Sequence, residues 1–217
     1  MISLVITSCG RVELLKRTFD SFMRYNDVPL SQIVLIDDSG DNHKHDLILK
    51  YFNRYNLDLD IRLIFNETNI GQVNSIDRAY ERVTSDLIFH LEEDWEFIRS
   101  GFMSQSLEII NNFPKIFTVW LRGTEDTNGH GVELALFEKN GVKYRYMATH
   151  QVGGCWHGYT WNPGMRRLRD YQKVAPYSNF ICEGDFAALT ECRIGQRYFE
   201  KGFNSVSLLD KYVKHIG

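Results

Sequence analysis

Hydrophobic residues follow two alternating patterns over the first half of the chain. Four short runs, in which almost every residue is apolar, predict strands that are buried on both faces of a sheet. These runs occupy residues 2–7, 32–36, 61–65 and 86–91. Between them, apolar residues recur every three or four positions, which predicts amphipathic helices. Strands that alternate with helices in this way form parallel sheets with crossover helices, so we expect an α/β fold.

The second half of the chain is less regular. Its pattern predicts a helix over 102–113, a strand over 116–121, a last helix from 185 to about 196 and a strand over 203–209. Residues 123–145 are polar and contain glycines, which is typical of hairpins or of an excursion from the sheet. Because no repeat, low-complexity tract or linker interrupts the sequence, we expect a single domain over 1–217.

Composition excludes several classes of protein. A chain of 217 residues, of which 43% are hydrophobic, can bury a core without disulfide bonds. The net charge of −3 argues against nucleic acid as a partner. The cysteines are scattered without zinc-site spacing, so we expect a reducing, cytoplasmic compartment. The apolar start lacks both the length of a transmembrane segment and the pattern of a signal peptide, so we expect neither.

Polar side chains follow each of the four predicted strands. In an open α/β sheet, ligands bind at the edge where the carboxyl ends of parallel strands meet. The residues that this rule brings to one edge are Thr7, Ser8, Cys9, Arg11, Asp37, Asp38, Asn69, Gly71, Gln72, Glu92, Glu93 and Asp94. The carboxylates among them repel one another unless a cation compensates, and oxygen ligands suit Mg²⁺ or Mn²⁺ together with phosphate oxygens. A metal–nucleotide site is therefore favoured over the alternative, a solvated acidic loop after each strand.

Two common phosphate-binding loops are missing from the sequence. The turn after the first strand reads SCGRVE, without the GxGxxG spacing that brings backbone against a pyrophosphate. No glycine-rich turn ends in Gly-Lys-Ser or Gly-Lys-Thr either. Phosphates would therefore have to be held by a metal ion and by side chains.

Several motifs in a fixed order carry a family resemblance. The segments are LVITSCGRVELLKRTFDSF, IVLIDDSG, NETNIGQVNSIDRAYERVTSDLIFHLEEDW and a late EGD. In this order they resemble the nucleotide-sugar glycosyltransferases of the GT-A fold, particularly the large inverting family two. The resemblance covers residues 1–98, with weaker landmarks to the end. It implies a mainly parallel sheet flanked by helices, with a nucleotide-binding half at 1–98 and a sugar- and acceptor-binding half at 99–217.

The resemblance also implies which residues bind the nucleotide. These are Thr7, Ser8, Arg11, Asp37, Asp38, Gln72, Asn74, Glu92 and Glu93. Asp38, or its neighbour Asp37, would hydrogen-bond the uracil or the ribose. Gln72 and Asn74 are included because Ile76 stands where the family often has an arginine that meets the nucleotide.

A metal ion, Mn²⁺ or Mg²⁺, is implied by the same resemblance. Glu92-Glu93-Asp94 corresponds to the family's Asp-x-Asp motif, with Asp94 as the direct metal ligand and Glu92 nearer to the ribose or to a metal-bound water. In many proteins of this fold a histidine past the last strand returns to the metal and the leaving diphosphate. His215 resembles that residue.

The catalytic base implied by the resemblance is Asp185, with Glu183 as the second candidate. Both belong to the late EGD segment, which is similar to a motif that opens the helix beside the acceptor. A base is needed because an inverting transferase must remove the proton of the attacking hydroxyl. The alternative is that these residues are ordinary helix caps and dipole partners.

Aromatic and basic residues lie between residues 153 and 169. Gly154, Trp156 and His157 are candidates for sugar binding, because aromatic faces pack on sugar rings and glycine lets backbone amides approach hydroxyls. The alternative is a core strand followed by a Pro-Gly turn. Arg166, Arg167 and Arg169 either contact phosphate or form a solvated face.

The implied reaction is the transfer of one sugar from a nucleoside-diphosphate sugar, with UDP-sugar as the expected donor, to an acceptor hydroxyl. The Gln-x-x-Arg-Trp motif of processive polysaccharide synthases is missing, which favours addition of a single sugar. Two alternatives stay open: a nucleotide-sugar-binding module without turnover, and a sugar-nucleotide nucleotidyltransferase. The latter usually has a glycine-rich loop after the first strand, which this chain lacks. The sequence leaves the sugar, the acceptor and formation of a homo-oligomer open.

Overall fold

The first half of the protein follows the predicted alternation of strands and helices. The computed structural model describes residues 1–55, 58–127, 129–149, 156–184 and 187–217. The strands are β1 (Ile2–Ser8), β2 (Gln32–Asp37), β3 (Asp60–Phe65) and β4 (Leu87–Glu92), and the helices are α1 (Val12–Tyr25), α2 (Asn42–Phe52) and α3 (Gln72–Tyr80). Every residue of β1 and β2 is buried, which explains why these strands are continuous apolar runs in the sequence.

The second half contains the predicted elements and several short ones that were not predicted. In chain order they are β5 (Trp95–Phe97), α4 (Phe102–Asn112), β6 (Ile116–Trp120), β7 (Phe137–Lys139), β8 (Val142–Tyr146), β9 (Gly164–Arg167), α5 (Leu168–Gln172), a 3₁₀ helix (Tyr177–Phe180), α6 (Ala187–Glu200), β10 (Asn204–Leu208) and β11 (Val213–His215). The hairpin expected within 123–145 is confirmed as β7 and β8. The unpredicted elements β5, β9, α5 and β11 have three to five residues, too few to show a hydrophobic period.

The central sheet has the strand order β3-β2-β1-β4-β9. The first four strands are parallel, and β9 runs antiparallel to β4. The pairing places Ser8 opposite Asp37 and Thr7 opposite Glu92. The carboxyl ends of β1, β2 and β4 therefore meet at one edge, and the mainly parallel sheet expected from the sequence is confirmed.

Helices cover both faces of this sheet. On one face, α1, α2 and α4 pack on residues such as Leu4 and Ile6 of β1. On the other face, α3 and α6 pack on residues such as Val5. Successive side chains of a strand point to opposite faces, so each strand contributes to both layers of the core.

Two smaller sheets complete the fold. One has the order β6-β10-β8-β7, and the other pairs β11 with β5. The β5–β11 pair is antiparallel and places His215 opposite Trp95. This pairing carries His215 to the end of β4, next to Asp94.

The expectation that the basic segment is solvated or contacts phosphate is wrong for two of its arginines. Arg166 and Arg167 lie in β9 and are only 3% and 5% exposed. Arg167 donates to the carbonyl oxygen of Ile116 at 2.8 Å and to the carboxylate of Asp170 at 2.9 Å, so these groups rather than solvent satisfy its charge. Arg169 is exposed, as a solvated residue would be.

The helices give no sign of a membrane-spanning segment. Over the described ranges, none of them is both long and apolar enough to cross a bilayer.

Candidate functional site

A cleft of about 360 Å³ lies at the carboxyl edge of the central sheet, and we call it the strand-end cleft. It is lined by Thr7, Ser8, Cys9, Arg11, Asp38, Asn69, Gln72, Ser75, Glu92 and Glu93. All of the predicted nucleotide-binding residues except Asp37 and Asn74 are among them. The rule that ligands bind beyond the carboxyl ends of parallel strands thus brings together side chains from distant parts of the sequence.

Asp37 lies behind the strand-end cleft and holds the turn between β1 and α1. Its carboxylate accepts hydrogen bonds from the Ser8 hydroxyl at 2.8 Å, from the Gly10 N–H at 2.8 Å and from the Ser39 N–H at 3.0 Å. Burial alone would raise the pKa of Asp37, but the hydrogen bonds from Ser39, Gly10 and Ser8 outweigh it and lower the pKa. Asp37 therefore stays ionised and positions the backbone of the turn.

Asp38 performs a similar task for the loop that precedes α3. One of its oxygens accepts from the Asn66 amide at 2.7 Å and from the Ile70 N–H at 2.8 Å. The other accepts from the N–H of Gly71 at 2.8 Å. Gly71 has a φ of +89°, a conformation that favours glycine. Direct contact between Asp38 and a nucleotide base stays a prediction.

Asn74, in the first turn of α3, donates from its side-chain amide to the Ile70 carbonyl oxygen at 2.7 Å. This contact ties the helix to the loop before it. Its role in nucleotide binding stays a prediction.

Arg11 bridges two of the three carboxylates at the end of β4. Its Nε donates to Oε1 of Glu93 at 2.9 Å, and its terminal nitrogen donates to Oδ2 of Asp94 at 2.8 Å. Oε1 of Glu93 also accepts from the Cys9 N–H at 3.0 Å. The repulsion that the sequence predicts at this edge is therefore offset in part by a guanidinium group.

Glu92 lines the strand-end cleft, and both of its carboxylate oxygens accept hydrogen bonds. Oε1 accepts from the side-chain amide of Gln72 at 2.6 Å, and Oε2 accepts from the indole N–H of Trp95 at 3.2 Å. Burial, followed by repulsion from Asp94, raises the pKa of Glu92 to about 8. The shift therefore reflects burial first and the density of negative charge at the end of β4 second.

Asp94 and His215 meet although they are far apart in the sequence. Nε2 of His215 lies 3.3 Å from Oδ2 of Asp94, and its ring packs on Trp95 with the ring centres 4.9 Å apart. Oδ1 of Asp94 is buried and has no hydrogen-bond partner. A buried carboxylate oxygen without a partner is costly, so a water or a metal ion bound to this atom would stabilise the site.

The pair fits a divalent cation. Carboxylate oxygen and imidazole nitrogen are both ligands that Mn²⁺ accepts, and Mg²⁺ commonly takes one or two carboxylates with phosphate oxygens and water. Over the described ranges, His, Cys, Asp and Glu side chains do not gather in groups of three or more that could hold a metal. Asp94 and His215 would thus supply a partial set of ligands, to be completed by diphosphate and water.

Trp95, which packs against His215, also contacts a cation, Arg122, that sequence reasoning did not single out. The guanidinium of Arg122 stacks over the ring of Trp95 at 5.2 Å. Arg122 and Lys211 share Asp126, at 2.9 Å and 2.7 Å. Arg122 comes just after β6. The rule that ligands bind beyond the carboxyl ends of parallel strands would have identified it if it had also been applied to this strand.

Two of the predicted sugar-binding residues, Trp156 and His157, pack against α6, and Trp156 also packs against Trp120 of β6. Trp156 stacks on His130 with the ring centres 3.9 Å apart. His157 stacks on Phe199 at 4.3 Å, and its Nε2 lies 2.6 Å from the side-chain oxygen of Gln196. Gly154 lies outside the described residues. A role for these residues in sugar binding stays a prediction.

Three acidic residues at or near the start of α6 are relevant to the choice of catalytic base. Glu183 is exposed on a turn before α6, and Asp185 lies outside the described residues. Sequence reasoning passed over another carboxylate of α6, Glu191, whose Oε1 accepts from the main-chain N–H of Trp161 at 2.7 Å. Its position inside a helix gave no signal in the sequence.

Comparison with known proteins identifies relatives of this fold. The mannosyltransferase PcManGT from Pyrobaculum calidifontis, in complex with GDP-Man and Mn²⁺, matches with a TM-score of 0.65 at 10% identity over 94% of this chain and 53% of its own. GalNAc-T7 with UDP, GalNAc and Mn²⁺ matches with a TM-score of 0.72 at 16% identity over 100% of this chain and 44% of its own. TarS 1–349 from S. aureus matches with a TM-score of 0.63 at 14% identity over 99% of this chain and 60% of its own.

The chain spans about half the length of these solved proteins, and at these identities the likeness establishes the fold. No curated protein matches the chain in sequence. The family model described as Glycosyl transferase family 2 matches residues 3–189. Because this match covers most of the sequence, the chain belongs to glycosyl transferase family 2.

Proposed function

We propose that the protein transfers one sugar from a nucleoside-diphosphate sugar to an acceptor hydroxyl, using a UDP-sugar as the donor and a divalent metal ion as the cofactor. The observation that carries the proposal is the meeting of Asp94 and His215 at 3.3 Å beside the strand-end cleft. The buried, unpaired Oδ1 of Asp94 supports a metal ligand at this point. Membership of glycosyl transferase family 2 supports the reaction class.

The diphosphate is proposed to lie between the strand-end cleft and His215. Asp94 and His215 would hold Mn²⁺ or Mg²⁺, which when bound supplies positive charge to offset that of the departing diphosphate. Arg122 and Lys211 share one carboxylate, Asp126, and so leave a net positive charge beside Trp95, against which His215 packs. Such charge stabilises a leaving group most strongly when it is already in place before the reaction.

The base and the ribose are proposed to occupy the strand-end cleft itself. Thr7, Ser8, Asp38 and Gln72 line it and offer hydroxyl, carboxylate and amide groups. The choice of uridine rests on the family resemblance and on the UDP present in structures of GalNAc-T7 and TarS. PcManGT, with GDP-Man, makes GDP the main competitor.

Transfer with inversion is proposed because the resemblance is to the inverting family two. In a single displacement the acceptor oxygen attacks the anomeric carbon as the diphosphate leaves from the opposite side. A carboxylate at the acceptor side must take the hydroxyl proton. The cytoplasmic location expected from the cysteines stays a prediction, as does the nature of the acceptor.

Titration calorimetry with UDP, GDP, CDP and ADP, each with and without Mn²⁺, tests the proposal. We expect UDP to bind, and to bind much more tightly with Mn²⁺ than without it. Asp94→Ala should abolish the Mn²⁺-dependent part of the affinity. Asp46→Ala, which removes an exposed carboxylate of α2, is the matched control and should bind like the wild type.

The outcomes separate the competing functions. If the affinity for UDP changes neither on addition of Mn²⁺ nor in Asp94→Ala, the metal assignment is contradicted. If none of the four nucleoside diphosphates binds, the donor class is contradicted. A UDP-sugar that binds without turnover would favour a binding module. Formation of a nucleotide sugar from a sugar phosphate and a nucleoside triphosphate would favour a nucleotidyltransferase.

A further inference from the structure

Glu191 is held in a fixed position by the segment that precedes β9. Its Oε1 accepts the Trp161 N–H at 2.7 Å, and its carboxylate also accepts a hydrogen bond from the Thr160 side chain. Gly195 lets α6 approach this segment, since a Cβ at that position would lie 3.2 Å from the Cβ of Tyr159. The carboxylate is therefore oriented, unlike that of a surface glutamate on a helix.

Two charged groups from other elements act on Glu191. The guanidinium of Arg166 in β9 favours its ionised form, whereas Glu92 at the end of β4 is close enough for the two carboxylates to repel each other. Burial has the largest effect and raises the pKa of Glu191 to about 7, against the lowering by its hydrogen bonds and by Arg166. Trp161, whose N–H binds Glu191, also packs against His90 of β4 with the ring centres 6.5 Å apart. His90 points to the same face of the sheet as Glu92, two residues further on, so Glu191 lies on the face of β4 that carries Glu92, and Glu92 lines the strand-end cleft.

These properties are those of a general base. A base works best when its pKa lies near the working pH and when it is positioned within reach of the proton that it removes. Glu200, near the other end of α6, offers a contrast because it is exposed and paired with Arg197 at 3.2 Å. Glu183 is likewise exposed, whereas Glu191 is partly buried.

We infer that Glu191 is the residue that accepts the proton of the acceptor hydroxyl. This inference rests on the proposed function and names a catalytic residue for it. The acceptor oxygen forms a bond to the anomeric carbon while its proton passes to the carboxylate of Glu191. The bond from the anomeric carbon to the diphosphate oxygen breaks, and its electron pair leaves with the diphosphate.

The test is the release of UDP from UDP-glucose and UDP-N-acetylglucosamine in the presence of Mn²⁺, with water as the acceptor. Glu191→Gln keeps the size of the side chain and an oxygen that can accept from Trp161. We expect it to lower turnover by about 100-fold or more, the usual contribution of a general base, while UDP affinity and Tm stay unchanged. Glu200→Gln, on the same helix, is the matched control and should turn over like the wild type.

The pH profile distinguishes a catalytic role from a structural one. A base must be deprotonated to act, so wild-type turnover should rise with pH through an apparent pKa near 7 and then level off. This rise should be lost in Glu191→Gln. Glu92 and Arg166 remain in that variant, so a rise that persists would belong to another group and would overturn the inference.

Other outcomes are equally decisive. Wild-type turnover in a folded Glu191→Gln variant would overturn the inference and leave the proposed function standing. A wild-type protein that neither binds UDP nor releases it would overturn the proposed function itself. If Glu191→Gln does not fold, Glu191→Asp replaces it: turnover reduced about tenfold with the pH rise retained supports the inference, and unchanged turnover overturns it.

Discussion

Arg11 is the cation that the structure places between Glu93 and Asp94, and its replacement by alanine tests how that acidic cluster is stabilised. The two carboxylate side chains are only 6% and 11% exposed. Removing the guanidinium would leave both of them poorly solvated and close to Glu92. We therefore expect Arg11→Ala to destabilise the protein and to change its response to Mn²⁺.

The size of the effect follows from the contacts. A hydrogen bond between charged groups contributes about 1.5–3 kcal/mol, and Arg11 makes one to each carboxylate. Its own side chain is 46% exposed, so solvent screening reduces the sum. We expect a loss of about 2 kcal/mol in the free energy of unfolding, which for a chain of this length lowers Tm by about 4–8 °C.

Thermal unfolding with and without Mn²⁺ measures both effects. Mn²⁺ should raise the Tm of Arg11→Ala more than that of the wild type, because the guanidinium no longer competes for Asp94. Arg17→Ala is the matched control: Arg17 also makes two hydrogen bonds to one carboxylate, Glu96, but on the surface, where such pairs contribute little. The reasoning would be refuted if Arg11→Ala melted like the wild type or if Arg17→Ala were equally destabilised.

Three further predictions concern the sheet and the site. Asp37→Asn should lower the free energy of unfolding by about 1–3 kcal/mol at neutral pH. Because hydrogen bonds lower the pKa of Asp37 in the folded protein, the ionised carboxylate stabilises the fold above its unfolded-state pKa, and this stabilisation is lost as the pH falls through its folded-state pKa. The difference between variant and wild type in urea unfolding should therefore vanish in strong acid. Gly164→Ala should destabilise β9 by more than about 1 kcal/mol, because its Cβ would lie 2.7 Å from the carbonyl oxygen of Val119, and an unchanged Tm would contradict this close approach. His215→Ala should weaken Mn²⁺-dependent UDP binding about tenfold or more, because even residues that only hydrogen-bond to metal ligands contribute that much to affinity. Wild-type affinity in calorimetry would contradict a role for His215 in metal binding.

The first half of the fold could be predicted because its signals are local. The strands β1 and β2 are buried at every position, so they leave continuous apolar runs, and the helices between them leave an amphipathic stripe. The order of these elements then places Asp38, Glu92 and Asp94 at one edge of the sheet. Sequence reasoning therefore brought most of the strand-end cleft together.

The features that escaped prediction depend on partners distant in sequence. Arg166 looks like a solvated cation, but the hydroxyls of Tyr80 and Tyr159 accept its hydrogen bonds at 3.2 Å and 3.4 Å inside the core. Glu191 looks like an ordinary residue of α6, and only the packing of α6 against the segment before β9 makes it partly buried. Neither environment leaves a periodic signal in the sequence.

The measurement that tests the central claim most directly is proton NMR of the sugar released from an α-linked UDP-sugar by the wild-type protein and Mn²⁺. Inverting transfer to water predicts that the β-anomer appears first and that the α-anomer follows only by mutarotation. Appearance of the α-anomer first would contradict inversion. Absence of any released sugar, with every UDP-sugar tested, would contradict the proposed transferase activity.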